Sequence, residues 1–333
     1  MRNLGEAGWG SVSGPQSKSP TTNNIMTNTP LHFTQGIGRW AGNAEVFDTH
    51  GRFLGNGSDY RNVQQLDAGR VRIDVSFVGP FKHSGHYFIQ QEENHRLYEG
   101  PANIGYAETL SENLVDANAY WSALGLSQRF FLMIVDGNLQ LSLAQMSRGE
   151  HLMYVVVGQN DRVPDSAPNP QPTLTSGTHY DLQDDPAAGR GEILLHRTGT
   201  WHGELIALNE NRKSLGNFPY TEILQISKLQ PSNLPTFNLQ LSGGAFDKST
   251  RHLPLFTNGW QAWTPENPDV VGSYSLSGGR ALSGHFYHRE AHLRCWRRDV
   301  VTLDGTRKAV VQHWYRGGQR IGSQFGVMEF ERA

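Results

Sequence analysis

Gly38-Arg39-Trp40-Ala41-Gly42 and Gly199-Thr200-Trp201-His202-Gly203 are two copies of one pattern, and they decide the fold. Leu54-Gly55-Asn56 begins 14 residues beyond the first tryptophan, and Leu215-Gly216-Asn217 begins 14 beyond the second. Tyrosines follow at Tyr60 and Tyr220. Gly105 and Tyr120 are echoed by Gly272 and Tyr287. Asp136-Gly137 with Arg148-Gly149 is echoed by Asp304-Gly305 with Arg316-Gly317. The offset between copies is 161 at the start (201 − 40) and 167 to 168 later (287 − 120, 304 − 136), which is a short insertion rather than a loss of register. A period this long is no solenoid; it means two copies of one domain.

Working outward from the motifs, strand follows strand. Residues 71–78, 131–135, 139–144 and 152–157 alternate or run apolar in the first copy. Residues 192–195, 201–208, 221–226, 237–241, 300–303, 309–314 and 325–330 do so in the second. Period two with β-branched and aromatic residues marks strands. Asp136-Gly137, Gly243-Gly244, Asp304-Gly305 and Gly317-Gly318 read as hairpin turns in which both central residues take positive φ. The chief helix candidate is 107–124, from the spacing of Leu110, Leu114, Tyr120 and Leu124. Many short antiparallel strands joined by tight turns form either a sandwich or a closed barrel. A closed barrel leaves no exposed edge, and copies of roughly 130 residues have the length of an up-and-down barrel. An all-β protein of two tandem up-and-down barrels is therefore expected. The expected segments are a disordered Ser/Thr/Asn/Gly/Pro-rich tail over 1–30, a first barrel over 31–160, a Pro-rich linker over 161–190 and a second barrel over 191–333.

Composition removes several functions. A formal net charge of −2 gives no electrostatic case for nucleic acid or an anionic membrane. No apolar run approaches the ~20 residues of a membrane span. One cysteine, Cys295, forms no intrachain disulfide. With no signal-like start, a cytoplasmic protein is expected. No Gly-x-Ser-x-Gly elbow, spaced cysteine pair, paired carboxylates or phosphate-binding loop supports a serine hydrolase, zinc finger, glycosidase or nucleotide enzyme.

The repeated Gly-x-Trp at Trp40 and Trp201 resembles the opening motif of the calycins, the lipocalin and fatty-acid-binding-protein superfamily. The resemblance implies that each tryptophan plugs the closed end of a barrel and that an arginine from late in the chain packs on it. Arg148 and Arg316 are the candidates, and such cation–π packing contributes ~0.5–2 kcal/mol. It also implies ligands of the kind that branch handles: linear tetrapyrroles, or apolar metabolites that are isomerised, hydrated or cyclised.

Chemistry is sought where the copies differ. The second copy carries Trp260, Trp263 and Tyr274, then the run from His285 to Arg298. On one continuous strand, His288, Glu290, His292, Arg294, Trp296 and Arg298 share a side, and His285, Tyr287 and Arg289 share the other. Histidine moves protons near neutral pH, and arginine holds a carboxylate. The expected catalytic set is therefore His288, His292, Tyr287 and Arg294. Trp260, Trp263, Tyr274, His285, Trp296 and Arg298 are expected to bind the ligand, with Glu108 and Tyr120 from the first copy. The strand splits the histidine trio, so no metal is assigned, and no cofactor is implied. The expected partner is a small apolar or aromatic metabolite, with the oligomeric state left open. Cofactor-independent isomerisation, cyclisation or hydration is the enzymatic version. A carrier or bilin-handling protein, and an interaction protein with filled barrels, are the alternatives. His83 and His86 read as turn-flanking residues.

Overall fold

A computed structural model describes residues 34–168, 197–227, 236–257, 261–264 and 269–333. The expected tail, most of the expected linker, the strand at 192–195 and Trp260 lie outside the described residues. After a short 3-10 turn at Thr34–Gly36, ten strands follow: β1 (Gly38–Phe47), β2 (Phe53–Gln65), β3 (Arg70–Val78), β4 (Lys82–Gln91), β5 (His95–Glu99), β6 (Ile104–Ser111), β7 (Leu114–Trp121), β8 (Leu126–Ile134), β9 (Leu139–Arg148) and β10 (His151–Val163). Ten more follow: β11 (Gly199–Asn209), β12 (Ser214–Ser227), β13 (Thr236–Gly243), β14 (Arg251–Thr257), β15 (Gln261–Trp263), β16 (Val270–Ser277), β17 (Ala281–His288), β18 (Leu293–Val301), β19 (Arg307–Arg316) and β20 (Gln319–Arg332). Each set is an antiparallel meander that closes on itself, β1 on β10 and β11 on β20. Closure removes the free edges that an open sheet would expose.

The tryptophans are floors. Trp40 and Trp201 are buried, each in its own barrel's core. Trp40 donates Nε1–H to the Gly36 carbonyl at 2.9 Å. Gly38 holds φ at 117°, which explains why the motif opens on glycine. The packing arginines are not the expected ones. Arg148 and Arg316 end strands at exposed hairpins. Arg162, late in β10, lies 4.3 Å over Trp40 and donates to the carbonyls of Ile37 and Gln35 at 2.7 Å and of Gly137 at 2.8 Å. In the second barrel, Arg197 approaches Trp201 from before the first strand, at 5.1 Å. Phe330 pairs with Trp201 and packs on it at the position Arg162 holds opposite Trp40.

Two further expectations need correction. Residues 107–124 are not a helix but the β6–β7 hairpin. Leu110 and Leu114 mimic helical spacing because they flank a two-residue turn and both face the second barrel, while Val115, Ala117 and Ala119 point into the first barrel's core with period two. At the Asp-Gly turns only the glycine takes positive φ. Asp136 and Asp304 instead accept backbone N–H bonds two residues on, from Asn138 at 3.1 Å and Thr306 at 2.9 Å.

The barrels pack wall to wall. Phe47, Phe131, Leu141 and Val157 of the first form one cluster with Val300, Val311 and Phe325 of the second. The Phe47 ring sits against Gly278, where a Cβ would stand 2.5 Å from it. Buried ion pairs cross the same wall: Glu45–Arg280 at 2.6 Å and Asp116–Arg298 at 2.7 Å. Among the described residues no helix is long and apolar enough to cross a membrane.

Candidate functional site

The first barrel is hollow. Its cavity, about 120 Å³, lies between the Trp40 floor and the opposite end of the barrel. A cavity of ~150 Å³ holds a benzene-sized guest. Its middle is apolar, lined by Val63, Ile73, Ile89, Val115 and Leu132. Aromatic rings gather toward the far end. Phe77 stacks on Phe81 at 4.5 Å, and Trp121 meets His83 and Tyr87 edge to face at 4.6 and 5.9 Å. Gln128 fixes the indole by accepting its Nε1–H at 2.8 Å.

Polar groups punctuate this lining. Asp59 and Arg61, two apart on β2 and so on one face, pair at 2.5 Å, and Asn160 donates to the same carboxylate at 3.2 Å. Burial pushes the Tyr87 hydroxyl up to about 12 and the Tyr98 hydroxyl upward as well, so both stay protonated at neutral pH. Burial lowers the His83 imidazole, which favours its neutral form. His83, Asn103 and Gln140 are buried. His83 Nε2, Asn103 Oδ1 and Gln140 Oε1 have no hydrogen-bond partner among the described residues. Polar atoms so placed are costly unless something satisfies them.

The second barrel shows what fills such a space. The hairpin registers pair Ile134 with Gln140 in one copy and Val301 with Lys308 in the other. Counted from there, Arg297 stands where the first copy has Phe130, Asp299 for Leu132, Lys308 for Gln140 and Gln312 for Ala144. Trp314 replaces Met146, and from the start of the repeat Glu222 replaces Arg61. Lys308, Gln312 and Trp314 add volume, and the charged side chains close on each other. Arg297 pairs with Glu222 at 2.6 Å and with Asp299, and Lys308 bridges Glu222 at 2.5 Å and Asp299 at 3.2 Å. Two cations and two anions balance inside the core. Among the described residues a space of about 20 Å³ lies beside Asp247, His288, Cys295 and Trp314, room for one or two waters at roughly 10–15 Å³ each.

The residues singled out in the second copy are dispersed. β17 ends at His288, and the turn 289–292 reverses the chain, so the run is a hairpin rather than one strand. His288 points inward and pairs with Asp247 at 2.7 Å. Burial would raise the Asp247 carboxyl, but His288 and Arg251 more than reverse that and hold it low. Tyr287 and His292 are exposed and meet at 3.3 Å, and Arg294 stacks over Tyr315 at 4.3 Å on the outer face. His292 sits at positive φ in the turn. Tyr274 is enclosed in the second core, and Trp263 packs beside Phe256. His285, Trp296, Arg298 and Glu108 lie along the barrel–barrel cleft, with Glu108 paired to Arg320 at 2.6 Å. Tyr120 faces out on that side as well, 42% exposed. No cluster of three His, Cys, Asp or Glu side chains able to hold a metal occurs among the described residues.

Asp59, Arg61, Tyr98, Asn103, Trp121 and Gln140 were not singled out from the sequence. The available signal was polar residues at inward parity on otherwise apolar strands.

No protein-family model matches the chain, and no curated protein does. A solved protein of unknown function from the DUF3598 family of Nostoc punctiforme is similar at 15% identity, over 90% of this chain and 97% of that one, with a TM-score of 0.53. That likeness concerns the fold alone. An S-type phycobiliprotein lyase from Guillardia theta aligns over 40% of this chain and 92% of its own, at 9% identity and a TM-score of 0.32. Kievitone hydratase from Nectria haematococca aligns over 92% and 97%, at 9% identity and a TM-score of 0.19.

Proposed function

We propose that the protein binds a small apolar or aromatic molecule inside its first barrel, and that the second barrel is a filled structural partner. One observation carries this. At equivalent positions one copy keeps Gln140, Ala144 and Met146 around a space of about 120 Å³, and the other places Lys308, Gln312 and Trp314 where, among the described residues, a space of about 20 Å³ is found. Apolar cavities with a few placed polar groups are the usual form of a small-molecule site. Turnover of the guest is the second reading, and His83 favours it: a neutral imidazole lining the cavity against Trp121 is suited to move a proton without a cofactor. Both readings place the ligand in the first barrel rather than on residues 285–298.

The test is titration with 4-(dimethylamino)benzonitrile, a neutral single-ring dye that brightens in apolar surroundings. The expected result is saturable binding of one dye per chain, lost in Ala144→Gln, which copies the second barrel's choice. Native mass spectrometry of freshly purified protein should also show a retained small molecule in the unaltered chain. Equal dye binding by an Ala144→Gln protein that melts like the parent overturns the assignment.

A further inference from the structure

The first-barrel cavity is already balanced in charge. Asp59 and Arg61 satisfy one another at 2.5 Å, and Asp59 is 8% exposed. An anionic guest must either draw Arg61 away, leaving a buried carboxylate unpaired, or lie as a second anion beside it. A cationic guest that takes Asp59 strands Arg61 in the same way. Breaking a buried pair from one side is strongly unfavourable. A neutral guest leaves the pair intact.

The other polar groups are neutral and complementary to a hydroxyl. Asn103 Oδ1 and Gln140 Oε1 are acceptors without a donor among the described residues, and His83 Nε2 also lacks a partner. The tyrosine hydroxyls of Tyr87 and Tyr98 remain able to donate. A hydroxyl both donates and accepts. The rings of Phe77, Phe81, Trp121 and Phe130 line the same space and suit a flat body.

Resting on the proposed binding in the first barrel, we infer that the ligand is an uncharged, hydroxyl-bearing aromatic, a phenol-type compound, and that the cavity selects against carboxylic acids. The hydroxyl is recognised by His83 and by the side-chain amide of Asn103, which both line the end of the cavity that Trp121 marks. This differs from an arginine-anchored acid, because the lining arginine is committed to Asp59.

Three single-ring probes separate the terms: phenol, anisole and benzoate, titrated calorimetrically at pH 7. The phenol is expected to bind tightest. The methyl ether, which accepts but no longer donates, should be about tenfold weaker. The benzoate should be weaker than the ether by a further tenfold or more. His83→Phe and, separately, Asn103→Leu should each lower the phenol preference while moving the ether's affinity less than about threefold. Either variant alone suffices if the other fails to fold. Equal affinities for all three probes, or a preference for the benzoate, overturn the inference and leave binding in the first barrel standing. Absence of binding by every probe, with the dye also unbound, overturns both.

Discussion

The wall between the barrels makes a sharp prediction at Asp116. This carboxylate, 2% exposed, belongs to the first barrel and is held by the second: Arg298 at 2.7 Å and His313 at 2.5 Å, with Arg129 of its own barrel at 3.1 Å. Burial would raise the Asp116 carboxyl; Arg298 and His313 more than reverse that and hold it well below the usual range. Asp116→Ala leaves the Arg298 guanidinium, 1% exposed, without its main counter-charge. Breaking one side of such a pair costs roughly 3–5 kcal/mol. Replacing both partners, as Asp116→Leu with Arg298→Met, should recover most of that loss, because neither charge remains to be desolvated. Urea unfolding followed by tryptophan fluorescence is the assay. Trp296 is a local reporter, with the guanidinium groups of Arg129 and Arg298 at 4.4 and 4.2 Å from its ring. Acid should act in the same direction. Burial lowers His313 against the opposing pull of Asp116, so below about pH 6.5 the unfolded chain binds a proton that the folded one does not, and stability falls. Asp116 adds a second loss, beginning as pH drops through the unfolded value near ~4 and completed only at its depressed folded value. His313→Gln should flatten the upper window and leave the lower one. A loss below about 1 kcal/mol in Asp116→Ala, or a double variant no better than the sum of its singles, refutes a buried, mutually dependent pair.

Trp40→Ala should cost roughly 3–5 kcal/mol by opening the first barrel's floor, and calorimetric melting measures it. Asp247→Asn should weaken the pairing with His288 and Arg251 that ties residues 243–251 over the end of the second barrel, lowering stability by roughly 1–3 kcal/mol in urea while leaving dye binding in the first barrel unchanged. Alanine at Tyr287 or Arg294, both on the outer face, should change stability by less than about 0.5 kcal/mol and dye affinity not at all; a large loss of binding in either would move the site to the second barrel.

The architecture was legible because barrels are periodic and duplication repeats the period. Gly38-x-Trp40 and Gly199-x-Trp201 marked two first strands, and the drift in offset is partly visible in the hairpins, where the loop before β19 is one residue longer than the loop before β9. The site was less legible because alternation reports two faces without naming them. In β9 the apolar set Leu139, Leu141 and Leu143 looks like a barrel core. Leu141 and Leu143 instead face outward, into the cluster shared with the second barrel, and it is Gln140, Ser142 and Ala144 that line the cavity. A strand buried on both sides inverts the usual assignment of polar to solvent. The same inversion governs residues 293–301. Arg297 and Asp299 face inward as a neutralised core, while Arg298 faces outward yet is equally buried because another barrel covers it. A dense run of charge and aromatic rings can thus close one barrel and join two, and the emptier alternation of the first copy can leave room for a guest.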